Sequence, residues 1–151
     1  MFYYTHKTSI GRLQVFAESE YITGISFFER KTQNAIEKET FLIRQMYSEL
    51  EEYFNGKRKS FEVPLKPSGT SFQQSVWKAL QEIPYGETRS YKQIAEMIGK
   101  PAACRAVGMA NNRNPIPIVI PCHRVVGTNG DLTGYAGGLD IKRKLLEIEK
   151  G

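Results

Sequence analysis

The sequence predicts an α/β (α+β) protein in two parts: an N-terminal three-stranded antiparallel sheet with a helix, and a mostly helical C-terminal lobe carrying a helix-turn-helix. Three observations predict it. Apolar residues alternate with polar ones in the first thirty or so positions, then recur at three- and four-residue spacings, and a basic Pro/Gly stretch precedes a series of short, capped helices. The resulting division assigns residues 1–66 to a sheet-and-helix domain and residues 67–151 to a second domain.

Phe2-Tyr3-Tyr4-Thr5-His6 is rich in aromatic and β-branched residues, Ser9-Ile10-Gly11 supplies a turn, and Leu13, Val15 and Ala17 alternate with polar partners. A third strand is expected from Ile22 to Phe28. Ile36, Ile43, Met46, Tyr47, Leu50 and Phe54 share one helical face, with Asn34 and Glu37 read as a capping box and Gly56 as the stop. KRKSFEVPLKPSGT, residues 57–70, reads as the linker, its basic run a solvated loop. Ser71-Phe72-Gln73-Gln74 opens a helix through Val76, Trp77 and Leu80. Ser90 with Gln93 caps a second, carrying Tyr91, Ile94, Ala95 and Ile98, and Pro101 begins a third that runs to about Asn111. The last two resemble a helix-turn-helix, although any corner between two helices has a similar pattern. Leu139, Leu145, Leu146 and Ile148 mark the buried stripe of a C-terminal helix.

With 151 residues, 40% hydrophobic and 25% charged, the chain has the composition of a folded globule. No apolar run approaches the roughly 20 residues of a membrane helix, and MFYYTHKTSIGR has no secretory pattern, so a cytoplasmic address is expected. Two cysteines, Cys104 and Cys122, are too few for a disulfide framework or a four-thiolate zinc site. Lys and Arg number 10 against 9 acidic residues in positions 1–67, and 11 against 7 in positions 68–151. That surplus in the second part fits a polyanionic partner, and also many proteins without one.

The segment Asn114 to Val126, NPIPIVIPCHRVV, is apolar, holds three prolines and ends in a cysteine flanked by proline and histidine. Prolines remove donors and fix φ, so it reads as a rigid support rather than a central strand. Cys122 is then either a small buried hydrophobe or a reactive nucleophile. His6, Cys104, Cys122 and His123 lack zinc-ligand spacing. His123 is adjacent to Cys122 on an extended segment, which disfavours direct thiol–imidazole contact and leaves a water-bridged one open.

Pro121-Cys-His-Arg-Val125 resembles the active-site signature of the O6-alkylguanine-DNA alkyltransferases, the methylated-DNA–protein-cysteine methyltransferases. Pro84-Tyr-Gly-Glu-Thr-Arg-Ser-Tyr91, Arg105-Ala-Val-Gly108, Asn114-Pro and Gly134-Tyr-Ala-Gly-Gly-Leu139 follow that family's order and spacing, so the likeness spans nearly all of residues 70–149. The first part is similar more loosely.

The resemblance implies that Cys122 takes the alkyl group from O6 of guanine as a thiolate, with its pKa lowered by its surroundings. It implies that His123 reaches it through a water and is oriented by Glu149, which the sequence alone would leave as a solvated charge. Arg105 would fill the gap left by an extruded guanine, and Tyr91 would crowd the phosphate and offer its hydroxyl to N3. Residues alone make the first a surface cation and the second a half-buried cap. The carbonyls of Cys122 and Val125 would accept from the base's amine, the Ala136 N–H would donate to O6, and Tyr135 would join the base-contacting set. Asn114 would tie the recognition helix to the active-site turn. Gly137-Gly138 would supply positive φ.

Departures are Ala136, where many relatives carry serine; Cys104, expected buried and inert; and the absence of the N-terminal zinc ligands of vertebrate members. Non-catalytic relatives replace the nucleophile, often with tryptophan; here it is Cys122. The implied function is cofactor-free, single-turnover repair of O6-alkylguanine in double-stranded DNA by a monomer. The alternative is a helix-turn-helix module that binds alkylated DNA and recruits repair or regulates genes without transfer.

Overall fold

Alternation in the first two strands buries Leu13, Val15 and Ala17 on one side, and the chain pairs accordingly. In the computed structural model, which describes residues 1–30 and 32–151, β1 (Phe2–Thr8) and β2 (Gly11–Ala17) form an antiparallel hairpin. β3 (Ile22–Ser26) joins β2 antiparallel, with a register shift at Phe16/Ala17. A fourth strand, β4 (Ile36–Glu37), lies parallel to the start of β1, giving the order β3-β2-β1-β4.

That strand corrects the expected helix start. Ile36 is 62% exposed and donates its N–H to the carbonyl of Met1, so Asn34 and Glu37 are not a capping box. The helix, α1 (Phe41–Phe54), begins instead where the Thr40 hydroxyl accepts from Ile43 N–H at 3.2 Å. The seven-residue gap from Ile36 to Ile43 fits a helical period, but Lys38, Glu39 and Thr40 between them hold nothing to bury. Gly56, at φ +74°, ends α1: its N–H reaches Tyr53 O and that of Lys57 reaches Glu52 O.

α2 (Ser71–Gln81) has its capping box one residue earlier than the sequence suggests, on Thr70 and Gln73. α3 (Tyr91–Met97) is capped by Ser90 and Gln93 as expected. α4 (Cys104–Asn112) starts after Pro101, which sits in the preceding turn rather than at the first helical position. α3 and α4 form the helix-turn-helix, and Trp77 Nε1 of α2 donates to Ala110 O at 2.8 Å, fastening α2 beneath α4. β5 (Arg89–Ser90) and β6 (Val125–Val126) pair in parallel, which sets the start of α3 beside the Cys122 turn. α5 (Leu139–Lys150) closes the chain.

On α5 only Leu145 of the expected stripe is fully buried, and Leu139 is 42% exposed. Lys142 and Glu149 take the other inward positions because that face meets carbonyls and an imidazole rather than aliphatic side chains. The buried apolar residues of both parts make one cluster, from Leu13 and Ile43 through Trp77 and Ile94 to Leu145. Among the described residues, no helix is long and apolar enough to cross a membrane.

Candidate active site

Cys122, 4% exposed, opens a single 3-10 turn, Cys122–Arg124, at the end of the proline-rich segment. The preceding backbone is forced into shape. Ile118 has φ +75°, a region a β-branched residue enters at a cost of about 1–3 kcal/mol, and its side chain is buried to hold it there. Asn114 spans the bend by donating to Ile120 O at 2.8 Å and accepting from Ile116 N–H at 3.0 Å. Its amide also lowers the pKa of the Cys122 thiol. The tie from the recognition helix itself is one the sequence reading missed: Asn111 of α4 donates to Cys122 O at 3.4 Å.

His123 is fully buried and its Nε2 donates to Glu149 Oε2 at 2.7 Å. Its Nδ1 has no hydrogen-bond partner among the described residues, and neither does the Tyr135 hydroxyl, which adjoins the Cys122 thiol. Glu149 is no solvated charge. Arg124 Nε donates to Oε1 at 2.8 Å and its Nη2 to Oε2 at 3.0 Å, Gly86 N–H donates to Oε1 at 3.1 Å, and the Tyr53 hydroxyl donates to Oε2. Gly86 needs its lack of a side chain: φ is +82°, and a Cβ would stand 3.2 Å from Glu149 O. Burial pushes the Glu149 carboxyl up, but hydrogen bonds from His123, Arg124 and Tyr53 outweigh it and bring the pKa down to about 2. Burial lowers the pKa of His123, so the imidazole rests neutral, with its proton on Nε2 and Nδ1 as acceptor.

The thiol behaves differently from expectation. Burial pushes the Cys122 pKa up to about 11, and Asn114, Lys142 and Tyr135 only moderate that rise. The resting group is therefore a thiol, because burial costs the sulfur anion more than Asn114, Lys142 and Tyr135 return. Lys142, whose charge lowers the Cys122 pKa, is fully buried, with Nζ donating to Val125 O at 2.7 Å and Thr133 O at 3.1 Å.

Cys122, His123, Glu149, Asn114, Val125 and Tyr135 thus converge. Tyr91 joins them at the edge: its hydroxyl shares a hydrogen bond with Thr133, and its ring packs over Gly108 of α4, one turn beyond Arg105. Arg105 and Ala136 are exposed, and Ala136 lines the same cavity as Asn114. The Cys122 carbonyl accepts from Val125 N–H and, at 3.4 Å, from Asn111, and the Val125 carbonyl accepts from Lys142. In the loop, Gly138 has φ +93°, whereas Gly137 serves contact: a Cβ there would lie 3.1 Å from the Phe27 ring. Cys104 is exposed, not buried as expected, because it sits at the solvent side of the first turn of α4.

Tyr53, Arg124 and Lys142 were not legible as site residues. Tyr53 falls on the apolar stripe of α1 and reads as core. Lys142 did carry a signal, since it lies three and seven residues before Leu145 and Glu149, on the same helical face.

Comparison with known proteins gives the family of this chain. Residues 71–151 match the family model described as 6-O-methylguanine DNA methyltransferase, DNA binding domain, and residues 1–67 match its ribonuclease-like domain. The chain belongs to the methylated-DNA–protein-cysteine methyltransferase family. It is 51% identical to the methyltransferase of that name from Methanosarcina acetivorans, over 99% of this chain and 98% of the relative. The constitutive methyltransferase of Bacillus subtilis is 47% identical over 99% of this chain and 95% of its own. Among solved structures, the Mycobacterium tuberculosis OGT in complex with DNA superposes with a TM-score of 0.93 at 46% identity, covering 99% of this chain and 93% of that one.

Proposed function

We propose that this methyltransferase repairs double-stranded DNA by moving an alkyl group from O6 of guanine to its own Cys122, once per molecule. The observation that carries the reading is the buried Cys122 thiol beside a neutral His123 whose Nε2 is held by Glu149 and whose Nδ1 is free to accept a proton. As the base enters, the thiol proton passes to Nδ1 directly or through a water, sulfur bonds to the alkyl carbon, and the C–O6 bond breaks with its electron pair going to the guanine. The Tyr91 hydroxyl gives the ring a proton at N3, so no negative charge builds there, and the imidazolium returns the proton that Tyr91 lost. Thiol and O6-alkylguanine become thioether and guanine, with no proton left over.

Burial that keeps the Cys122 thiol protonated suits this role, since a protonated thiol resists stray alkylation and oxidation. Arg105, exposed on α4, fills the stack where the guanine leaves, a planar cation offsetting part of the few kcal/mol that extrusion costs. The carbonyls of Cys122 and Val125 read the exocyclic amine, the Ala136 N–H meets O6, and Tyr135 lines the base. Residues 1–66 and 67–151 act as one monomer. A pure binding module is less well supported, because it would need neither the thiol nor the buried pair beside it.

The test is intact mass spectrometry after incubation with an O6-methylguanine duplex, followed by peptide mapping. One methyl per molecule, on Cys122, is expected. Cys122→Ala binds the duplex without transfer, and Cys104→Ala does both. Turnover beyond one equivalent, or label on Cys104, would overturn the reading.

A further inference from the structure

Tyr53 comes from α1, in the sheet-and-helix part, and lies 96 positions from Glu149, yet its hydroxyl reaches the same carboxylate oxygen as His123. The hydroxyl donates to Glu149 Oε2, and its oxygen stands 3.3 Å from His123 Nε2, where it accepts a second, weaker branch of that N–H. The ring is fully buried and caught between Phe54, Phe61 and Tyr85, with centroids 5.8, 5.4 and 6.2 Å away. So locked, it has little freedom to aim elsewhere.

We propose that Tyr53 is a positioning residue for alkyl transfer, contributed by the N-terminal part to hold the His123–Glu149 pair in the one arrangement that can receive the thiol's proton. The inference rests on the functional reading above. An imidazole carrying its proton on Nδ1 would present a lone pair from Nε2 to both Glu149 Oε2 and the Tyr53 oxygen, and would have no acceptor left for Cys122. Two acceptors on the Nε2 side therefore select the productive tautomer. The Tyr53 O–H also occupies a lone pair of Oε2, so the carboxylate orients the imidazole without holding the imidazolium too tightly.

The other charged and titratable groups around the pair are accounted for. The Arg124 guanidinium grips Glu149, the Tyr85 hydroxyl donates to Ile148 O, and Lys142, Cys122 and Tyr135 lie on the thiol side. Of these only Arg124, through Nη2, also donates to Oε2.

Tyr53→Phe keeps the ring packing and deletes only the hydroxyl. Single-turnover methyl transfer from an O6-methylguanine duplex should slow about tenfold, the loss of one hydrogen bond to a charged group, with duplex affinity unchanged. The acid limb of the rate profile, which reports neutral His123, should move to higher pH by about half a unit or more, because Glu149 with one donor fewer favours the imidazolium. In a Glu149→Gln background the same change should have little further effect, since its route of action is gone. Nitrogen NMR of the His123 ring, which needs no alkylated DNA, should show the Nε2-protonated tautomer in the native protein and a mixture in Tyr53→Phe. A Tyr53→Phe protein with native rate, acid limb and tautomer, even if less stable, would make Tyr53 a packing residue and overturn the proposal. Equal slowing in both backgrounds would overturn it too. Absence of transfer by the native chain would defeat the functional reading instead, while the NMR comparison still decides the role of Tyr53.

Discussion

Arg124 closes on Glu149 through two donors, Nε to Oε1 at 2.8 Å and Nη2 to Oε2 at 3.0 Å, in a pair almost sealed from water. The same guanidinium donates to Ile83 O at 2.7 Å, so one side chain joins the Cys122 turn, α5 and the segment leading to Tyr91. Replacing Arg124 by methionine would leave a buried carboxylate without its cation. A loss of about 3–5 kcal/mol is expected, seen as a lower urea midpoint. An unchanged midpoint would mean that His123, Tyr53 and Gly86 suffice for Glu149.

The acid side of the stability curve follows from the same cluster. The folded pKa of Glu149 lies near 2, below its ordinary 4.5, so its contribution is present above about pH 4.5 and is lost as pH falls from there toward 2. His123, held neutral by burial, adds a loss that begins below its ordinary 6.5, where the unfolded chain takes up a proton the folded one refuses. Unfolding free energy measured by urea from pH 7 to 3 should therefore decline throughout and steepen below 4.5. In Glu149→Gln the steeper lower segment should flatten.

Lys142→Met tests the buried cation beside the thiol. Lys142 pulls the Cys122 pKa down from what burial alone would give, so its loss should raise that pKa further. In a Cys104→Ala background, ultraviolet thiolate absorbance should move to higher pH and methyl transfer at neutral pH should slow. A thiolate titration identical to that of the Cys104→Ala parent would show that Lys142 serves only Val125 O and Thr133 O.

Arg105→Ala separates extrusion from chemistry. Arg105 is exposed on the first turn of α4. Repair within a duplex should slow far more than reaction with free O6-benzylguanine, which needs no extrusion. Equal slowing of both would place Arg105 in the chemical step or in folding.

Local patterns made much of this protein legible. The alternation of Leu13, Val15 and Ala17 specifies a half-buried strand, Ser90 with Gln93 specifies a helix start, and Gly56 specifies a stop, because each is decided by residues a few positions apart. Pro121-Cys-His-Arg-Val125 marked the nucleophile through its resemblance to the family's signature, whereas the residues alone left Cys122 either a buried hydrophobe or a nucleophile. Local pattern failed where a seven-residue gap served two periods, and β4 stands in place of the first turn of a helix. It failed more instructively on α5 and at Tyr53. There the deciding partners lie far away in sequence, Lys142 with Val125, Tyr53 with Glu149 across 96 positions, and Cys104 with open solvent. Whether a lysine, a glutamate or a tyrosine is surface, core or site depends on what faces it. That is settled only when the two parts pack and water is gone, where one hydrogen bond outweighs the propensity of the residue that makes it.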